Sequence, residues 1–335
     1  MISIITPSFN RGYIIDETAQ SLFAQSSVQW EWIVVDDGST DGSWDKLLEY
    51  EKTHPNVRVF KRDRGPKGAC TCRNIGAEKA TGEFLLFLDS DDLLRLNAVE
   101  SRLGHTALYP PKTIPYFPTV IFEKTPEAGF LWDDEENPSS WLSSLFTMTP
   151  PCQSSGPLWR KSDFVKIGGW REDLKVWQDI DLHIRAHRQG FRFEPVKDAQ
   201  PDILLRLSPD SISHVGFHSA AKVHSRWLVA ESVMTTYTKE ELTSEEMKAF
   251  QTMVLGVFFN AASLRDLDLT RQILQHEKAR EFLTPDQLGW MKRAQMHYSL
   301  RLYKVPMLQK SLMKARDTAF PFKLNRRLGT QTWKQ

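Results

Sequence analysis

Cysteine is scarce in this chain: three in 335 residues. The number is odd and the cysteines lack the paired spacing of a zinc site. Cys70 and Cys72 are expected on a helix as small buried residues, in a reducing compartment. Long apolar runs are missing as well, none reaching the ~18 residues that a membrane span needs. The opening ISIITPSF lacks the basic start and the length of a secretory signal. These absences predict a cytoplasmic protein, compatible with peripheral attachment to the cytoplasmic face of a membrane. Neither sign of charge dominates, with 43 Lys+Arg against 42 Asp+Glu and a formal net charge of +1. That balance gives no support for a nucleic-acid partner. The phosphate-binding patterns G-x-G-x-x-G and G-x-x-x-x-G-K-[ST] are absent too. Any phosphate here falls to a metal and to basic side chains.

What the chain does have is a run of five apolar residues, Phe84–Leu88, that ends on Asp89, Ser90, Asp91 and Asp92. A short continuous apolar run fits a strand buried on both faces, as in a parallel sheet covered by helices. Its carboxylates then sit at the strand's C-terminal end, where open α/β sheets place ligands. Oxygen ligands packed that closely suit Mg²⁺ or Mn²⁺. In isolation the same residues also fit a solvated turn with an Asp capping the next helix.

The preceding residues favour the site. Ile2–Thr6 reads as a strand, then a loop through Asn10, then a helix carrying Ile15, Ala19, Leu22 and Phe23. Trp30–Val35 is a second strand ending on Asp36 and Asp37, followed by turn formers and another helix. Val57–Phe60, a basic loop at Arg62–Gly68, and a helix over Ala69–Ala80 come next. This alternation predicts a doubly wound, mostly parallel α/β sheet. Loops after Thr6, Val35 and Leu88 leave one edge of it and bring Asn10, Asp36, Asp37, Asp89 and Asp91 into one crevice. Further on, short strands flank Thr125–Gly129, a helix covers Ser139–Phe146, and strand, helix and Gly168-Gly169-Trp170 follow from Gly156. Trp177–Arg188 has helical character. From about Ser219 the chain is nearly all helix, with a capping box at Thr243–Glu246 and helix starts at Pro285 and Pro306.

These blocks resemble the family 2 glycosyltransferases. They are TPSFNR at Thr6–Arg11, VVDDGSTDGS at Val34–Ser43, RG-x-x-GA-x-x-x-RN-x-G at Arg64–Gly76 and FLDSDD at Phe87–Asp92, then GGW at Gly168–Trp170 and Gln178-Asp179-Ile180-Asp181-Leu182. The resemblance covers about residues 1–228. It implies the A-type glycosyltransferase fold, with a nucleotide-sugar half at 1–100, an acceptor half at 101–228 and an all-helical C-terminal domain at 229–335. It also implies an inverting, Mn²⁺- or Mg²⁺-dependent transfer from a UDP-linked donor to a glycan, lipid-linked or protein hydroxyl, in surface polysaccharide or glycoconjugate synthesis. By resemblance Asp91 binds the metal directly, and Asp89 holds the ribose or acts on the metal through water. Asp92 either joins them or caps a helix. Asp36 accepts the base N–H of uridine, Thr6, Pro7 and Asn10 line base and ribose, and Arg64 or Lys67 reaches the diphosphate. Asp179 is the candidate base, although Gln178 stands where the family has Glu. Asp181 reads as an ion-pair partner or internal cap. Some metal-dependent relatives use a histidine near the position of His214 as a further ligand, while an ordinary loop pair, His214 and His218, explains it as well. Arg226-Trp227 is similar to the end of the Q-x-x-R-W motif of processive synthases, but Val223 replaces its Gln.

Three other functions fit part of the pattern. A haloacid-dehalogenase-type phosphatase has D-x-D-x-[TV] after a buried strand, yet Leu93 occupies the fifth position here. A nucleotidyltransferase shares the sheet and metal, but its glycine-rich basic opening loop is absent. A non-catalytic nucleotide-sugar or glycan-binding protein that kept the fold is the third.

Overall fold

The computed structural model of the chain describes residues 1–132, 140–207 and 219–320. Its first part alternates as β1 (Ile2–Ser8), α1 (Ile15–Phe23), β2 (Trp30–Asp36), α2 (Ser43–Thr53), β3 (Val57–Lys61), α3 (Ala69–Lys79) and β4 (Phe84–Phe87). Every residue of β1, β2 and β4 is buried, as expected of strands covered on both faces. Side chains alternate between those faces. Ile4, Trp32, Val34 and Leu86 enter one apolar cluster; Ile5, Ile33, Val35 and Phe87 enter the other. The helix α3 lies very close to the sheet, since a Cβ on Gly76 would stand 2.4 Å from Ile5 Cγ2.

The chain continues through β5 (Leu93–Leu94), α4 (Ala98–His105), β6 (Thr113–Tyr116), β7 (Thr119–Phe122), β8 (Phe130–Leu131), α5 (Trp141–Phe146) and β9 (Trp159–Arg160). Then come α6 (Lys161–Ile167), α7 (Gln178–Arg188), β10 (Arg192–Pro195) and β11 (Ile203–Arg206). The central sheet has the order β3-β2-β1-β4-β9. Its first four strands are parallel, and β9 closes the edge antiparallel to β4. Strand order reverses between β1 and β4, so the loops leaving them diverge and open a crevice at that switch point. The remaining strands form separate sheets, β5-β11-β7-β8 and the pair β10-β6. They extend the acceptor half, and a bridge between Tyr116 and Pro157 links β6 to the stretch leading into β9.

The C-terminal region is helical: α8 (Ala220–Thr236), α9 (Ser244–Ser263), α10 (Leu267–Gln275), α11 (Glu277–Phe282), α12 (Pro285–Ser299) and α13 (Pro306–Ala319). Capping boxes at Thr243/Glu246 and Thr284/Gln287 fix the starts of α9 and α12. The division expected between residues 228 and 229 falls inside α8. Leu142 and Phe146 of α5 and Ile180 and Ile184 of α7 share one apolar cluster with Trp227, Phe250, Phe258 and Trp290. The helices are thus packed onto the acceptor half through a continuous core. No helix among the described residues is long and apolar enough to cross a membrane.

Candidate active site

The crevice is built first from the ends of β1 and β2. Asp36 uses one carboxylate oxygen, Oδ2, to accept the N–H groups of Gly38 and Ser39 at 3.0 and 2.9 Å. Its other oxygen, Oδ1, is buried and has no partner among the described residues, and neither does Oγ of Ser8, the residue paired with Asp36 across the sheet. Two adjacent orphaned polar atoms at a strand end are costly, about 1–3 kcal/mol each, unless a ligand meets them. Asn10 knits the two loops together: its Oδ1 accepts from Thr40 N at 2.8 Å and its N–H donates to Ser39 Oγ at 2.9 Å. Its φ of +53° is one that Asn tolerates. Pro7 is buried within β1. Thr6 faces inward, and its hydroxyl accepts the Trp32 indole N–H at 2.9 Å. Thr6 therefore shapes the crevice from behind, through Trp32.

The basic loop divides its two candidates. Arg64 is held by Glu78 and by Glu172. Lys67 is exposed and lies over the Phe9 ring, 3.5 Å from its centroid, beside Asn10. Of the pair, Lys67 is the one left facing the crevice mouth.

The acidic loop after β4 is braced from three sides. The Thr18 hydroxyl of α1 donates to the carbonyls of Ser90 and Asp92. The Arg206 guanidinium donates to the Asp91 carbonyl at 3.1 Å. Asp92 accepts the Arg206 N–H at 2.9 Å, so it closes the end of β11. It caps no helix, because α4 begins later, after Asn97. Asp89 receives Arg73, whose guanidinium is buried against the Trp170 ring. Asp91 lies 3.4 Å from Arg11. Burial and the neighbouring Asp89 charge push the Asp91 carboxyl above the usual carboxylate range. Burial, then Asp89 and Asp91, push Asp92 higher still.

Two mutually repelling carboxylates in a half-buried loop are a donor set that a hard divalent cation would relieve. Mg²⁺ in particular takes one or two carboxylates and fills the rest of its shell with substrate phosphates and water. The residues present fit such an ion: Asp91 and Asp89 would hold it. Among the described residues no cluster of three or more His, Cys, Asp or Glu side chains forms a self-sufficient metal cage. His214 and His218 lie outside the described residues.

Across the crevice stands the start of α7. Trp177 precedes it at φ +62°, a left-handed conformation uncommon for a bulky residue. Asp179 follows in the first turn, its Oδ1 accepting the Ile180 N–H at 2.9 Å. Burial raises its carboxyl above the ordinary range; Arg73 opposes that shift and Asp89 reinforces it. Asp179 therefore shares one electrostatic environment with the residues of the acidic loop. Asp181 is turned away. It accepts Arg185 Nε at 2.8 Å and lies 3.5 Å from Arg171. Arg185 in turn donates to the carbonyls of Ile167 and Gly169, fixing the glycine turn. The same turn is clamped by Asn74 of α3, which donates to Trp170 O at 2.8 Å and accepts from Trp170 N at 2.9 Å.

The structure thus brings Asn10, Asp36, Lys67, Asp89, Asp91 and Asp179 around one crevice. It adds Ser8, Arg11 and Arg73, to which the sequence reading gave no role. Arg11 and Arg73 both sit inside the quoted motifs, so spacing marked them while their partners were invisible.

A parallel sheet whose reversed strand order opens onto an acidic loop is the architecture of the A-type glycosyltransferase fold. Residues 3–126 match the family described as Glycosyl transferase family 2. TuaG of Bacillus subtilis, named for teichuronic acid biosynthesis, is 41% identical over 103 residues, which are 31% of this chain and 40% of that protein. The UDP-Glc:alpha-D-GlcNAc-diphosphoundecaprenol beta-1,3-glucosyltransferase WfgD of Escherichia coli is 34% identical over 104 residues, again 31% and 40% of the two chains. The chain thus matches about two fifths of the length of these relatives. Among solved structures, S. aureus TarS 1-349 in complex with UDP-GlcNAc superposes with a TM-score of 0.65 at 17% identity, covering 89% of this chain and 88% of that one. That likeness is one of fold, and at this coverage it extends into the C-terminal helices.

Proposed function

We propose that this chain is an inverting, metal-dependent glycosyltransferase that moves a sugar from a UDP-linked donor to a hydroxyl of a cell-surface glycan or lipid-linked glycan precursor. The observation that carries the reading is the pair of buried oxygens without a partner among the described residues, Asp36 Oδ1 and Ser8 Oγ, at the switch point beside the acidic loop. A carboxylate oxygen held in that position accepts an N–H, as a uracil ring offers. The names of TuaG and WfgD and the UDP-GlcNAc complex of TarS support the substrate class.

In this reading Asp36 and Asn10 orient the base and ribose, and Lys67 approaches the diphosphate. A bound Mg²⁺ or Mn²⁺ would neutralise charge on the departing diphosphate. Asp179 takes the proton of the acceptor hydroxyl as that oxygen attacks the anomeric carbon from the face opposite UDP. Arg73, buried between Asp89 and Trp170, holds the Asp89 carboxylate in position. Activity of the whole protein would take place at the cytoplasmic side, where nucleotide sugars are available.

Calorimetry of UDP with the full chain, with Mn²⁺ and with chelator, tests the donor site. Metal is expected to tighten UDP at least tenfold, and Asp91→Asn to remove most of that gain while the melting transition survives. Equal affinity with metal and with chelator would sink the assignment.

A further inference from the structure

The near-zero net charge conceals a separation of charge along the chain. From Met291 to Gln335 there are eleven Lys and Arg and a single Asp, which leaves 32 basic and 41 acidic groups in the preceding 290 residues. The described part of this basic stretch forms the end of α12, the turn after it, and α13. Of its charges, Arg316 already pairs with the lone Asp317. Lys292, Arg293, Arg301, Lys304, Lys310 and Lys314 have no carboxylate partner among the described residues.

The same corner exposes large apolar side chains: Met307 at 76%, Leu300 at 62%, Met296 at 54% and Val305 at 44%. In α13 only Leu312 is fully buried. Met307, Lys310 and Lys314 follow at spacings of three and four, so they share the outward face of that helix. Met296 and Leu300, four apart, stand in the same way beside Lys292 and Arg293. An open groove of about 500 Å³ runs on from them, lined by Leu267, Leu274, Met296 and Leu300 with Arg271 and Lys292.

We infer that this corner, α12 to α13, docks the protein onto an anionic phospholipid bilayer. A surface that interleaves basic and apolar side chains suits the boundary between headgroups and acyl chains. Lysine stems lie along the apolar layer while their ammonium groups stay among the lipid phosphates. Each cation near such a surface adds favourable attraction, and the exposed Met and Leu side chains add burial. A soluble polyanion would use the charges and leave Met307 and Leu300 in water. The acidic remainder of the chain is repelled by the same surface, so the contact also sets orientation, with α13 inward. The inference stands independently of the sugar donor.

The test is co-sedimentation of the full chain with vesicles of pure phosphatidylcholine and of phosphatidylcholine with about a third phosphatidylglycerol. Binding to the anionic vesicles is expected, at least tenfold stronger than to neutral ones, and weakened by raised salt. The triple change Lys304→Glu, Lys310→Glu, Lys314→Glu should cost at least a further tenfold, and Met307→Ser with Leu300→Ser a measurable part of it. UDP affinity and thermal melting serve as controls and should not move. The idea falls if wild type ignores the anionic vesicles, or if neither set of changes alters binding. It falls equally if only the charge changes matter and inorganic polyphosphate binds as well, which marks a polyanion site. Loss of a dimer in the Met307→Ser, Leu300→Ser protein by sedimentation velocity, with vesicle binding unchanged, would assign the face to a second copy.

Discussion

Asp179 and Asp181 sit two positions apart on one helix and meet different surroundings. Asp179 faces the crevice and accepts the Ile180 N–H; Asp181 is spent on Arg185 and Arg171. Asp179→Asn should lower turnover by at least ~10²-fold, the lower end of general-base assistance, with UDP affinity unchanged. Because burial holds the Asp179 carboxyl above the ordinary range, activity should fall with pH on the acid side at a pH above that of a free carboxylate. That limb should vanish from the residual rate of Asp179→Asn. Asp181→Asn, in contrast, should cost stability, about 3 kcal/mol by urea titration, since it strips a buried pair of one charge. A well-folded but inactive Asp181→Asn beside an active Asp179→Asn would exchange the two roles. Asp36, Asp89, Asp91 and Asn10 could be placed at strand ends from the sequence, because polar residues stand out after apolar runs. Thr6 looked the same, and only the tertiary fold reveals that its hydroxyl belongs to Trp32.

At the scale of the element, α7 shows what periodicity can and cannot convey. Its inward face carries Ile180, Ile184 and also His183, which lies among Trp141, Trp159 and Phe193 with both ring nitrogens unpartnered among the described residues. Burial, then Arg185, lowers His183 from 6.5 to about 3. The imidazole is therefore neutral when folded, and the unfolded chain binds the proton first. Stability from this group is complete above pH 6.5 and is lost as pH falls toward 3, by about 1.4 kcal/mol per unit. Asp92 and Asp179, whose carboxyls are raised, act in the opposite sense over the upper part of that window. His183→Phe should flatten the loss by about that slope, read as the difference between urea midpoints of parent and variant across the window. An unchanged slope would mean that the ring is protonated in the folded protein. The helix itself was legible from spacing. The histidine's burial was not, because a helical pattern fixes a face and says nothing of what packs there.

For the whole molecule, the alternation of four strands with helices conveyed the donor half almost residue by residue, since buried parallel strands are continuous apolar runs. The short strands flanking Thr125–Gly129 and the one ahead of Lys161 were legible as strands, but β5, β6 and the division into separate sheets were not. Pairing between β7 and β11 joins residues some eighty positions apart and leaves no local signature. The C-terminal helices were visible, while their shared core was hidden. Phe250 touches Phe146 of α5 and Phe282 of α11 by ring contacts. Phe250→Ala should therefore cost about 3–5 kcal/mol, and hydrogen exchange should show α5 and α7 loosening together with α9. Protection lost from α9 alone would make the helical region a separate unit after all.

The amide of Asn74 gives the crevice a particular way of breathing. By gripping both polar groups of Trp170's backbone it rivets the α3 side to the α7 side, so the two halves cannot swing apart like jaws. On the proposed function a nucleotide would enter and leave past the rim at Phe9 and Lys67, where a cation resting on a ring can slide aside.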